Sequence, residues 1–187
     1  MGVFLDKDLN WKDHIEYISK KISKGIGALA KIRNCVDIEI LKNVYHALIY
    51  TYLRYGILIW GNAPQTTLKP LEVLVNKAIR IMTYAPFGNI ELSPVYKELY
   101  LLKLQNAYLL ELGKFAFKSE NDLLPCSIGN YFEVDNCAEQ HSHFMRSRGD
   151  NIAPRIKSRT TSGGKSIQYR NSHLWADIPS DIKSYES

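Results

Sequence analysis

The chain has few cysteines and no long apolar run. Cys35, Cys126 and Cys137 are the three cysteines among 187 residues, too few for a disulfide framework and better suited to a reducing compartment. No uncharged apolar stretch approaches the roughly 18 residues that span a bilayer, and Arg54 interrupts the best candidate. Acidic and basic residues follow Met1 closely, so no secretory leader is read there. The sequence therefore reads as soluble, with no membrane partner. Catalytic signatures are also missing. There is no G-x-S-x-G, no H-E-x-x-H, no Walker-type loop and no G-x-G-x-x-G. Gly25-Ile26-Gly27 lacks a third glycine and sits in a helical pattern. Adjacent aspartates able to hold Mg²⁺ are absent, and Asp6 and Asp8 read as turn residues. Cys126, Cys137, His141 and His143 are suitable zinc ligands in kind, but C-x10-C-x3-H-x-H is not the spacing of structural zinc sites. They are read as linker residues.

What is present is a normal apolar fraction, 45%, and a net charge of +5 placed unevenly. Between His143 and His173 stand seven basic residues, Arg146, Arg148, Arg155, Lys157, Arg159, Lys165 and Arg170, against one acid, Asp150. A basic segment on a near-neutral body is the footprint of a polyanion partner; a solvated tail is the alternative.

Helical periodicity dominates the first two thirds. After a short strand at Gly2–Asp6, Asn10 caps a helix whose apolar stripe is Trp11, Ile15, Ile18, Ile22, Ile26, Leu29 and Ile32. The strand follows Met1 abruptly, as though the chain began inside a larger domain. Acids Asp13 and Glu16 fall early in the first helix and bases late, as the helix dipole favours, which leaves Lys20, Lys24, Lys31 and Arg33 on an outer face. Gly25 and Gly27 read as sites of close packing or a bend. The second helix runs from Ile38 to about Trp60, capped by Asp37 and stopped by Gly61. Its stripe is Leu41, Val44, Tyr45, Leu48, Tyr52, Tyr55 and Ile59. Gly56 costs about 1 kcal/mol relative to Ala inside a helix, so close approach of another helix is expected there. The aromatic run is read as core; as a platform for nucleobases it would have to be exposed.

A third helix is expected from about Leu68, with Pro70 in its first turn. A fourth runs from Pro94 to about Leu101, capped by Ser93, and a fifth from about Lys103 to Lys118. Residues 119–145 read as linker. The basic segment 146–187 reads as a hairpin of Ile152–Arg159 and Lys165–Arg170, then a short helix from Ser172 to Lys183. The fold class is thus mainly α: a helical bundle over 10–118, a strand within 1–9 and a small irregular or β-hairpin basic tail.

Certain residues match one family in order. Gly2-Val3-Phe4-Leu5-Asp6, Leu9-Asn10-Trp11 and His14-Ile15 follow G-V-x-x-D…L-x-W-x-x-H-I. Tyr55-Gly56-Ile57 and Trp60-Gly61 follow Y-G-I-x-x-W-G, and Asn76-Lys77-Ala78-Ile79-Arg80 is N-K-A-I-R. Arg146-Ser147-Arg148 precedes Leu174-Trp175-Ala176-Asp177-Ile178-Pro179, with Ala176 and Ile178 in place of the Asn and Leu of L-W-N-x-L-P. The sequence resembles reverse transcriptases of non-LTR retrotransposons of the jockey-like kind. That resemblance implies a primer-grip strand at residues 1–9 and a thumb that packs on an RNA–DNA or DNA duplex. The partners it implies are that duplex backbone and the palm and fingers of the parent polymerase. The palm aspartates and their Mg²⁺ have no counterpart here, so the chain by itself is expected not to polymerise. The parent element would work in the cytoplasm and nucleus. Duplex contacts are expected from Lys20, Lys24, Lys31, Arg33, Arg146, Arg148, Arg155, Arg159, Lys165 and Arg170. The competing readings are a helical protein-interaction module and a degenerate copy without selected function.

Overall fold

The computed structural model describes residues 2–86, 91–121, 123–125, 128, 157–160 and 163–179. They form a mainly α protein in two compact units, Met1–Leu109 and Leu110–Ser187. In the first, α1 (Lys12–Ile32) is followed by α2 (Ile38–Tyr45), a π-helical turn (His46–Tyr50), α3 (Thr51–Arg54), α4 (Ile57–Trp60), α5 (Gln65–Thr83) and α6 (Ser93–Glu98). Helix α7 (Leu104–Glu120) runs across the division at Leu109 and Leu110. The second unit also holds a 3₁₀ turn (Gly163–Lys165) and α8 (Ile167–Asp177).

Helix α1 forms where its stripe demanded. Ile15, Ile18, Ile22, Ile26 and Leu29 are buried, chiefly against α5 and also against the π turn. The cap differs from expectation. Trp11, not Asn10, is the N-cap, with φ 62°. The Asp6 carboxylate accepts from the backbone N–H groups of Asn10 and Trp11 at 3.1 and 3.0 Å. The Asp6 side chain thus fixes the turn that leads into the helix, while the N-cap residue itself makes no side-chain cap hydrogen bond.

The strand at Gly2–Asp6 is not there: among the described residues no strand pairing occurs. A strand needs a ladder partner, and this segment is tied down by side chains instead. The Phe4 N–H donates to His14 Nδ1 at 3.4 Å.

The long second helix is broken in two places. Burial steps through Leu41, Tyr45, Ile49, Leu53 and Ile57, a spacing of four that an α-helix of 3.6 residues per turn lets drift sideways. The π turn, with wider i→i+5 closure, offsets that drift. Leu48, Tyr55 and Ile59 are consequently 39%, 42% and 48% exposed, against expectation. The chain then breaks at Gly56, whose φ of 64° is left-handed. Gly56 provides a turn rather than a helix contact; Val3 Cγ2 lies 3.1 Å from where its Cβ would be. Close approach occurs at Gly61, whose Cβ would meet the Ile57 carbonyl at 2.5 Å and Tyr108 Cδ2 at 2.6 Å.

These contacts unite residues of the segments around Asp6, His14 and Tyr55–Gly61. Asp6 accepts from the Trp11 N–H, His14 takes the Phe4 N–H, and the His14 ring lies 5.7 Å from that of Trp60. Trp60 Nε1 donates to the Tyr55 carbonyl at 3.0 Å, Val3 meets Gly56, and Tyr108 closes over Gly61. Residues from Val3 to Gly61, with Tyr108, form one packed node that sets the start of α1 against α4.

Helix α5 begins at Gln65, earlier than expected, so Pro70 lies inside it and withholds one backbone donor. Helix α6 has Leu92 as N-cap, with Ser93 and Pro94 already in its first turn. In the second unit, the expected strand Lys165–Arg170 is helical from Ile167 onward. Ser166 Oγ accepts from the Tyr169 N–H at 3.2 Å, a helix cap that outcompetes extended pairing. The other expected strand, Ile152–Arg159, lies outside the described residues except at 157–159, which are not strand. Trp175 is buried, and Leu174 Cδ2 lies 4.0 Å from where a Cβ on Gly113 would be, so the L-W element anchors α8. No helix among the described residues is long and apolar enough to cross a membrane.

Candidate nucleic-acid interface

Helix α1 carries the candidate face. Lys20, Lys24 and Lys31 are exposed and lie within about 40° of one another at 100° per residue. From Tyr17 to Asn34 the sequence contains no acid. Lys20 pairs with Glu16 at 2.7 Å, both side chains being more than half exposed at 71% and 67%. Such a pair contributes little and is easily exchanged for another anion. The Glu16 carboxyl is held below its usual range by the Lys20 hydrogen bond and charge. Lys24 and Lys31 have no ion-pair partner among the described residues. Lys21 leans over the Tyr17 ring, 5.5 Å from its centroid.

Arg33 departs from this face. It is the C-cap of α1, and its guanidinium lies 4.5 Å from the centre of the Tyr84 ring. The Tyr84 hydroxyl donates toward the Arg33 carbonyl and Asn34 Oδ1, each at 2.8 Å. Arg33 therefore joins the end of α1 to the left-handed end of α5, where Tyr84 has φ 55°.

The basic residues of the second unit form a separate set. Arg159, Lys165 and Arg170 are exposed, in a turn, in the 3₁₀ turn and on α8 respectively. Arg146, Arg148 and Arg155 lie outside the described residues, as do Cys126, Cys137, His141 and His143. Among the described residues no group of three His, Cys, Asp or Glu side chains could hold a metal ion.

The N-K-A-I-R motif serves packing and a polar cleft. Ala78 and Ile79 are buried. Asn76 and Arg80 line a cleft of about 330 Å³ with Gln65, Glu72, Tyr96 and Lys103. Tyr96 donates to Asn76 Oδ1 at 2.8 Å, and burial pushes its hydroxyl up to about 12. Gln65 Nε2 donates to both Glu72 oxygens, and Gln105 Nε2 to Gln65 Oε1. The Tyr96–Asn76 and Gln105–Gln65 bonds tie α5 to α6 and the start of α7.

Gly27, expected with Gly25 to be a site of close packing or a bend, is not closely packed and lies on the α1 face instead. Gly27 falls at the helical spacing of Lys20, Lys24 and Lys31, and a Cβ there would meet nothing within 4 Å. Gly25, two residues away, is unlike it: a Cβ there would lie 3.0 Å from the Leu48 carbonyl of the π turn. The signal was available in the i, i+4, i+7, i+11 spacing of 20, 24, 27 and 31.

Comparison with known proteins gives one partial likeness. Over 90 residues, 46% of this chain, the sequence is 27% identical to a probable RNA-directed DNA polymerase from transposon BS of Drosophila melanogaster. The match covers 10% of that protein, so the chain spans only a small part of its relative's length. No family model matches, and no solved structure matches. The likeness to a transposon-encoded RNA-directed DNA polymerase supports a chain related to retrotransposon reverse transcriptases.

Proposed function

We propose that this chain is the thumb-and-tail part of a non-LTR retrotransposon reverse transcriptase of the jockey-like kind, and that it grips the template–primer duplex by its sugar–phosphate backbone. The observation that carries this is the lysine face of α1, exposed along Lys20, Lys24 and Lys31, in a stretch from Tyr17 to Asn34 without an acid. The motif node holds the N-terminal end of that helix, so the cations sit on a rigid element. Backbone contacts of this kind position a duplex without reading its sequence. Arg159, Lys165 and Arg170, with Arg146, Arg148 and Arg155, would add a second set of phosphate contacts from the tail. Catalytic aspartates and their Mg²⁺ would come from the palm of the parent polymerase, and this chain alone would not polymerise. Phe4, Leu5 and Leu9, at 48%, 70% and 56% exposure, offer an apolar surface on which the palm would pack.

The test is affinity for an RNA–DNA duplex measured against salt. Each phosphate contact contributes about 0.9 to the slope of log K against log[salt] on a B-form duplex. Replacing Lys20, Lys24 and Lys31 together with Gln should flatten that slope by roughly two to three. A wild-type affinity that does not respond to salt would refute the reading.

A further inference from the structure

We propose that Gly27 is the seat of one sugar–phosphate strand, laid across α1 between Lys24 and Lys31. This rests on the reading that the lysine face of α1 binds nucleic acid. Glycine in a helix interior is disfavoured relative to alanine, because it loses more backbone freedom on folding. A glycine kept there calls for a reason, and the neighbouring glycines have theirs. Gly25 lies against the Leu48 carbonyl and Ile49 Cγ1, at 3.0 and 3.1 Å from the position of its Cβ. Gly56 takes a left-handed φ of 64°, and Gly61 is packed under Tyr108. Gly27 has neither cause: its surroundings are open to 4 Å, and its φ is not positive.

Its position provides the cause. On the lysine face it leaves a gap without a side chain, and Lys24 and Lys31 flank the gap about 10 Å apart along the helix axis. A strand seated in the gap touches the helix backbone itself. The two flexible ammonium groups then reach phosphates on either side of it. A side chain at residue 27 would hold the strand off and lengthen both contacts. The face fits nucleic acid better than a lipid surface. A helix that lies on a membrane presents bulky apolar side chains to it, whereas Ile15, Ile18, Ile22, Ile26 and Leu29 are all buried in the protein core.

The experiment compares Gly27→Ala, Gly27→Leu and the double variant Lys24→Gln/Lys31→Gln. Each is measured for thermal midpoint and for affinity toward an RNA–DNA duplex across a salt series. Both Gly27 variants should melt at or above the wild-type temperature, because the space is open and helix propensity improves. Both should nevertheless bind more weakly, with Gly27→Leu down by about tenfold and the salt slope little changed. The lysine variant should lose slope. Gly27→Leu binding as tightly as wild type, while the lysine variant is weakened, overturns the seat and leaves the lysine face standing. A lysine variant that binds with unchanged affinity and slope overturns the underlying reading. A polyglutamate chain bound as tightly as the duplex, and weakened equally by Gly27→Leu, would also overturn the assignment to a nucleic-acid strand.

Discussion

Gly61→Ala should be the most damaging single-methyl addition in the first unit. The added carbon would stand 2.5 Å from the Ile57 carbonyl and 2.6 Å from Tyr108 Cδ2. Tyr108 could rotate aside only by disturbing its own packing, since it is 8% exposed. The Ile57 carbonyl accepts from the Gly61 N–H at 2.7 Å, so moving it breaks the last turn of α4. Overpacking of this kind costs about 1–3 kcal/mol, and a backbone obstacle places it in the upper half of that range. At roughly 2–4 °C per kcal/mol for a chain of this size, the melting temperature should fall by roughly 4–12 °C. Gly56 provides the contrast. There the obstacle is the Val3 side chain, which can shift, and the main cost of Ala is the left-handed backbone, about 1–2 kcal/mol. Asn tolerates that backbone conformation, so Gly56→Asn should recover part of the loss, whereas Gly61→Asn should be no better than Gly61→Ala. Thermal melts followed by far-ultraviolet circular dichroism read all four variants. Gly61→Ala melting with the wild type, or Gly56→Asn melting no higher than Gly56→Ala, would refute this assignment of the two glycines.

Two further expectations concern the same node. Asp6→Ala removes the acceptor for two backbone donors and should cost about 1–2 kcal/mol, with faster hydrogen exchange at the Asn10 and Trp11 amides as its local signature. Unchanged exchange there would show that Asp6 does not hold the turn that leads into α1. His14 is buried, and burial lowers its pKa from the ordinary 6.5. The unfolded chain then binds the proton more readily than the folded one, so stability is fully present above pH 6.5 and falls as pH drops through the window below it. His46 shifts in the same direction, through burial and then Lys42. Denaturant midpoints compared at about pH 7.5 and 5.5 should therefore fall in acid. The fall should be smaller in His14→Gln; an equal fall in that variant would remove His14 as a source.

The sequence alone was sufficient for the helical class and for the core stripe of α1. Ile15 to Leu29 recur at a single period, and a local period is a one-dimensional property of the chain. It also showed that the lysines of α1 stand apart from that stripe. Three features needed the tertiary structure. The π turn re-phases the stripe after Tyr45, so that Ile49 and Leu53 are buried and Leu48 is exposed, where the π turn packs against α1 at Gly25. Gly61 ends the helix as expected, but the close approach expected at Gly56 falls at Gly61 and Gly56 makes a left-handed turn, because steric contact at a glycine depends on neighbours as distant as Val3 and Tyr108. The expected strand at Gly2–Asp6 is a tether, because pairing needs a partner and the N–H of Phe4 finds an imidazole instead. For the interface, spacing placed Lys20, Lys24 and Lys31 on one face and Arg33 off it, while only the fold gave Arg33 its Tyr84 partner and separated the crowded Gly25 from the open Gly27. Helical period is written in the order of residues; which glycine is crowded and which cation is engaged is decided by what folds against them.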